Sequence, residues 1–126
     1  MAAIDTNVLV RLIAVDDPRQ VAIAEAFVTR GAWVSHVVLA ETIWVLTSVY
    51  GSSPEAIGET VELLLAHKEV TLQEPDVVTG ALNRFRATSG VEFADCLILE
   101  IARKAGHLPL GTFDKTLARI DGTARL

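Results

Sequence analysis

The chain opens with MAAIDTNVLVRL (Met1–Leu12). An apolar start stops at Asp5, Thr6 and Asn7 and resumes at once with Val8, Leu9 and Val10. Ala2–Asp5 reads as a short buried strand, and a helix is predicted from Asn7 or Val8 to about Ala14. Three small polar residues at such a junction have two explanations. They cap the helix, which Asn7 alone could do, or they deliver an acid to the end of a strand. Asp5, left over by the first explanation, fits both equally well.

The same alternation continues along the chain. Asp17 and Pro18 form an N-cap and first-turn pair, and Val21, Ala24 and Val28 follow at helical spacing until Gly31. AWVS is a second strand, and Val37–Tyr50 is long enough for a helix that stops at Gly51. Ser53 and Pro54 open the next helix, with Ile57, Val61, Leu64 and Leu65 on one stripe. VTLQ is a third strand. Helices follow from about Asp76 to Thr88 and from about Phe93 to Ala105, then a fourth strand, LPLGTF, and a last short helix, KTLARI, opened by Asp114. Strands alternating with helices imply a parallel sheet covered on both faces, a three-layer α/β sandwich. In such folds the site lies beyond the carboxyl ends of the strands.

Composition narrows the function. A chain of 126 residues is expected to form a single domain, residues 1–126, with a core that needs no disulfide or metal staple. Hydrophobic residues make up 51% and mean hydropathy is +0.40, so some apolar surface is expected to be covered by another chain. The longest apolar run, Val37–Tyr50, carries Glu41 and is shorter than a bilayer span, which argues against a transmembrane helix. No basic segment precedes an apolar core at the N-terminus, so no secretory signal is expected. Cys96 stands alone and reads as a small buried hydrophobe, consistent with a reducing, cytoplasmic setting. A net charge of −5 and a pI near 5.1 argue against generic polyanion binding through an electropositive face.

Four acids draw attention. Asp5 and Asp114 fall where strands end, and Asp114 taken alone is an ordinary N-cap. Glu41 lies among Leu39, Ala40, Ile43, Trp44, Val45 and Leu46, where a carboxylate needs solvent or a cation. Asp95 stands three residues before Ile98 and seven before Ala102, which places it on the inward face if those two mark the buried stripe. On that reading Glu92, Glu100, Arg103 and Lys104 reach water, and a first-turn acid favoured by the helix dipole is the rival explanation. The topology sends all four acids to one sheet edge, where they would repel one another unless a cation sat among them. His36, His67 and His107 have no metal-like spacing and read as surface or turn residues, so all-oxygen ligation points to Mg²⁺ or Mn²⁺. Such an ion commonly handles phosphate. With no glycine-rich phosphate loop, metal-dependent phosphodiester cleavage is the expected chemistry, and the ion offsets the acidic net charge. Arg11, Lys115 and Arg119 are candidates to hold flanking phosphates, as are Arg84 and Arg86.

Taken in order, IDTNVLVRLI (4–13), LAETIWVL (39–46), FADCLILEIA (93–102) and GTFDKTL (111–117) resemble the PIN domain, and specifically the VapC toxins of toxin–antitoxin pairs. The resemblance spans nearly the whole chain. It implies an endoribonuclease in which Asp5 and Asp95 hold Mg²⁺ most directly, Glu41 and Asp114 complete the acidic set, and Asn7 and Thr112 support the first and last acids. It also implies a central parallel sheet of up to five strands, the fifth in the tail GTARL, a homodimer, and a VapB-like antitoxin lying over the cleft. Cys96 departs from the family, where a smaller residue is more usual. Two other readings are open. A haloacid-dehalogenase-like phosphatase would want a second Asp where Asn7 stands, and a catalytically inert PIN-like module would bind without cutting.

Overall fold

The computed structural model describes all 126 residues, with no candidate membrane-spanning helix. The chain divides into two compact units, Met1–Gln73 and Glu74–Leu126.

The first unit is built from β1 (Ala2–Ala3), α1 (Thr6–Ala14), α2 (Pro18–Val28), β2 (Ala32–Val34), α3 (His36–Ser48), α4 (Pro54–Ala66) and β3 (Val70–Leu72). Its strands pair in parallel in the order β1-β2-β3, with Ala2 opposite Ala32 and Val34 opposite Leu72. Parallel neighbours need long crossovers, and here each crossover is a pair of helices. β1 is shorter than AAID suggests, but the Ile4 N–H donates to the Trp33 carbonyl at 3.1 Å and carries the pairing one residue further. The helices start where local chemistry dictates. Asp17, Ser35 and Ser53 accept from the backbone N–H groups of Gln20, Val38 and Ala56, satisfying donors that a helix start leaves orphaned. Leu9, Val34, Leu39 and Val61 are among the fully buried side chains of this unit.

The second unit contains α5 (Pro75–Ala87), α6 (Phe93–Ala105), β4 (Leu110–Thr112), a 3-10 turn (Leu117–Arg119) and β5 (Thr123–Arg125). α5 and α6 pack together through Val78, Ala81, Cys96 and Leu99, all fully buried, and through an edge-to-face contact of Phe85 with Phe93. β4 and β5 pair in parallel, Leu110 opposite Thr123 and Thr112 opposite Arg125. The mixed α/β class with all strands parallel agrees with the sequence reading, and the fifth strand lies in GTARL. The strands fall into two ladders, three and two, and each is only two or three residues long.

Two sequence expectations change here. His36 is buried at the start of α3, where its N–H donates to the Gln73 side chain at 2.9 Å, and is not a surface residue. The helix expected after Asp114 is a single 3-10 turn, because the segment is closed within a few residues by the turn at Gly122.

Cys96 follows expectation. It is wholly buried, and burial, with Asp95 and Glu100 nearby, pushes its thiol up to about 12. Because the thiolate is the nucleophile, Cys96 should not react with a disulfide reagent at pH 8 in the native protein and should react fully once unfolded. Absorbance from the released thiol chromophore measures both; rapid native labelling would contradict this packing.

Candidate active site

The first unit brings two of the four acids to one edge. β1 runs into Asp5, which is the N-cap of α1: its Oδ1 accepts from the Val8 N–H at 3.1 Å, in an extended conformation. Asn7, which alone could have served as the cap, is instead an exposed residue of the first turn. The reason is register, since the helix begins at Thr6 and so assigns the cap to the residue before it. β2 runs in parallel into Ser35 and α3, and Glu41 lies on the second turn of that helix. Parallel pairing of β1 and β2 therefore sets the starts of α1 and α3 side by side. Thr6 Oγ1 closes the gap by donating to Glu41 Oε1 at 3.0 Å. No local pattern reveals this role of Thr6, because its bond spans 35 residues and depends on the sheet order. Glu41 itself is exposed, as are Val37 and Trp44 on the same helix, so the apolar surroundings read from sequence do not bury it.

A groove of about 630 Å³ opens beside Asp5, lined also by Asn7, Arg11, Gln20, Ile23 and Phe27. Arg11 borders it with its guanidinium engaged by Gln20 Oε1 at 2.5 Å and Asp16 Oδ1 at 3.2 Å. The Tyr50 hydroxyl donates to the other Asp16 oxygen at 2.7 Å, and this bond holds Asp16 below the usual carboxylate range.

The second unit carries the other two. Asp95 lies in the first turn of α6. Its carboxyl is pushed above the ordinary aspartate value, first by burial, then by the negative charges of Asp114 and Glu92. Asp114 follows β4, and its Oδ1 accepts from the Thr116 and Leu117 N–H groups at 2.8 and 3.1 Å. Thr112 Oγ1 accepts from the Asp114 N–H at 3.0 Å, which fixes the backbone at the strand's end. Ile98 and Ala102 do not mark the buried stripe of α6, so Asp95 is not placed inward by them. Ile98 is 50% exposed, and the buried face of α6 runs through Phe93, Cys96, Leu97, Leu99 and Glu100. Asp95 is half-buried beside that face, and Glu100, expected in water, is inside. Lys115 is exposed, Arg119 donates to the Ser89 carbonyl at 3.2 Å, and Arg84 faces Glu100.

Within neither unit do three or more His, Cys, Asp or Glu side chains gather as a ready-made metal cage. The donor set nonetheless suits a hard cation. Every candidate is a carboxylate, and Mg²⁺ is commonly held by only one or two of these, keeping several waters. Asp95 supplies the electrostatic reason, since its charge is disfavoured by burial and by like charges that a cation would compensate.

The same imbalance predicts a stability effect. An aspartate whose native pKa is raised takes up its proton more readily folded than unfolded. It therefore costs stability once pH rises above its ordinary range. At pH 7 Asp95→Asn should raise the melting temperature of the metal-free protein by a few degrees, the gain being modest because solvent screens a partly exposed group. A calorimetric scan in EDTA checks this, and a lower melting temperature would contradict it.

Parallel strands with helices or turns starting beyond their carboxyl ends define an α/β protein, with Asp5 following β1 in the first unit and Asp114 following β4 in the second. The chain matches the PIN domain family over residues 2–123, across both units, and belongs to that family. The PIN fold is a nuclease fold, commonly that of metal-dependent ribonucleases. No curated protein and no solved structure matches the chain.

Proposed function

We propose that the chain is a Mg²⁺- or Mn²⁺-dependent endoribonuclease, and that it acts in the cytoplasm as the VapC-type toxin of a toxin–antitoxin pair. Residues 1–126 then work as one PIN domain, with Asp5 and Asp95 holding the ion and Glu41 and Asp114 completing the acidic set. The observation that carries this reading is the state of Asp95, a half-buried carboxylate opposed by Asp114 and Glu92. Unpaired buried charge is costly, and a protein keeps it where a ligand of opposite sign repays the cost.

When bound, a divalent ion polarises a phosphate oxygen and lowers the pKa of an attacking water. The remaining work falls to the chain. Thr6 fixes the Glu41 carboxylate, which leaves Glu41 able to orient a water by its second oxygen. The helix-starting bonds to Asp5 and Asp114 each use Oδ1, so each of these carboxylates is aimed by the helix or turn it caps. Thr112 holds the Asp114 backbone. Arg11, beside Asp5 in the groove, together with Lys115 and Arg119, supplies positive charge for flanking phosphates. A VapB-like antitoxin and a second copy of the chain are the proposed covers for exposed apolar residues such as Ile23, Phe27 and Trp44, the last 63% exposed.

Purified protein should cut RNA with Mg²⁺ or Mn²⁺ and stop in EDTA. Cutting that persists in EDTA would overturn the metal, and folded protein that binds RNA but never cuts would leave an inert binding module. Expression should arrest growth, and co-expression of the neighbouring open reading frame should relieve it. Arrest that the neighbour does not relieve would remove the toxin–antitoxin role and leave the nuclease.

A further inference from the structure

One ion network in the second unit, centred on the buried Glu100, joins the helix that carries Asp95 to the strands that present Asp114. Glu100 lies on α6 at 8% exposure, between two arginines. Its Oε1 faces Arg84 Nε at 3.4 Å, and its Oε2 accepts from Arg103 Nε at 2.8 Å. Arg103 has a second bond: its Nη2 donates to the Asp121 carbonyl, also at 2.8 Å. Both sides of this network are closed by glycines. A Cβ at Gly80 would stand 3.2 Å from Glu100 Oε1, and one at Gly122, where φ is +96°, would stand 2.7 Å from Arg103 Nη2. Any side chain at Gly122 would displace the guanidinium, and the positive φ favours glycine there in any case.

The Asp121–Gly122 turn matters because it starts β5. The Gly122 carbonyl accepts from the Leu110 N–H at 2.9 Å, and at the other end the Thr112 carbonyl accepts from the Leu126 N–H at 2.9 Å. A two-stranded ladder this short has little stability of its own. The place of Thr112, and hence of Asp114 two residues on, therefore depends on what anchors β5. Arg103 anchors it from α6, about two helical turns after Asp95.

We propose that Arg103, oriented by Glu100, is a positioning residue of the candidate site: it ties the strand pair ending at Asp114 to the helix carrying Asp95 and so sets the spacing of these two acids. This role rests on the metal-dependent reading above. Its chemistry requires a guanidinium, because two donors in a rigid fork bind Glu100 and the turn at once. A lysine keeps the charge but cannot hold both partners in that geometry.

The test compares wild type with Arg103→Lys and Glu100→Gln, each shown to be folded by circular dichroism at the assay temperature. Residues that orient metal ligands typically shift affinity or activity by about 10- to 100-fold. Arg103→Lys should bind Mn²⁺ about tenfold more weakly by calorimetry and lower kcat to a similar degree, with KM for RNA little changed. Glu100→Gln, which leaves Arg103 in place but loosens its orientation, should fall between the two. Wild-type Mn²⁺ affinity in both variants, with only a lowered melting temperature, would make the network structural and overturn the positioning role. Unfolding of both variants would overturn it as well. If only one unfolds, the other decides by the same criteria. If wild type itself binds no Mn²⁺, the metal reading fails and this role falls with it, an outcome distinct from unchanged binding in the variants alone.

Discussion

On the proposed function, Asp95→Asn and Asp5→Asn proteins should each cut RNA about 10³-fold more slowly than wild type, because a metal's stabilisation of transition-state charge is worth several kcal/mol and each 1.36 kcal/mol is tenfold in rate. The two substitutions are nearly isosteric, so the loss reports charge and not shape. Their effects on folding should differ. Asp95→Asn relieves burial of a charge already opposed by Asp114 and Glu92. Asp5→Asn keeps an oxygen for the Val8 N–H, since asparagine caps helices about as well as aspartate. Neither loss of activity should therefore come with unfolding. Single-turnover cleavage at saturating Mn²⁺, alongside melting curves, separates the two. Activity within tenfold of wild type in either variant would remove that residue from the metal's ligands.

Glu100→Ala should destabilise the protein by about 2–3 kcal/mol, toward the lower end of the range for breaking a buried ion pair. Two contributions add. Truncation leaves a cavity beside Gly80, and Arg84 and Arg103 lose the carboxylate between them. The cost stays below the upper range because both arginines are more than a third exposed and can turn to water. For a chain of this size the melting temperature should drop by roughly 10 °C. Glu100→Gln should cost much less, as it keeps the volume and one acceptor. A loss below about 0.5 kcal/mol for Glu100→Ala would be typical of a surface substitution, and would show that Glu100 is not held as the geometry implies.

These two residues also mark how far the sequence was legible. The C-terminal end of α6 at Ala105 was readable because Gly106 closes the helix with a positive φ of 83°. Its buried face was not. FADCLILEIARKA offers two apolar stripes, one through Ile98 and Ala102 and one through Phe93, Cys96 and Leu99, and periodicity alone does not choose between them. The chain buries the stripe that contains a carboxylate, which local reasoning disfavours, because Arg84 is brought to it from 16 residues away. Glu41 shows the same limit from the other side. Its place near the start of a helix was legible, whereas its partner Thr6 is supplied by the order of strands. The fifth strand was expected only through family resemblance, since three residues such as Thr123–Arg125 are too few for an alternating pattern.

On the proposed function, Asp5 and Asp95, far apart in sequence, hold one divalent ion between them. Calorimetric titration of Mn²⁺ into wild type, Asp5→Asn and Asp95→Asn tests it most directly. Wild type should show a strong binding event that is lost or greatly weakened in both variants. Wild-type Mn²⁺ binding retained by Asp5→Asn but absent from Asp95→Asn, or the reverse, would contradict a shared ion.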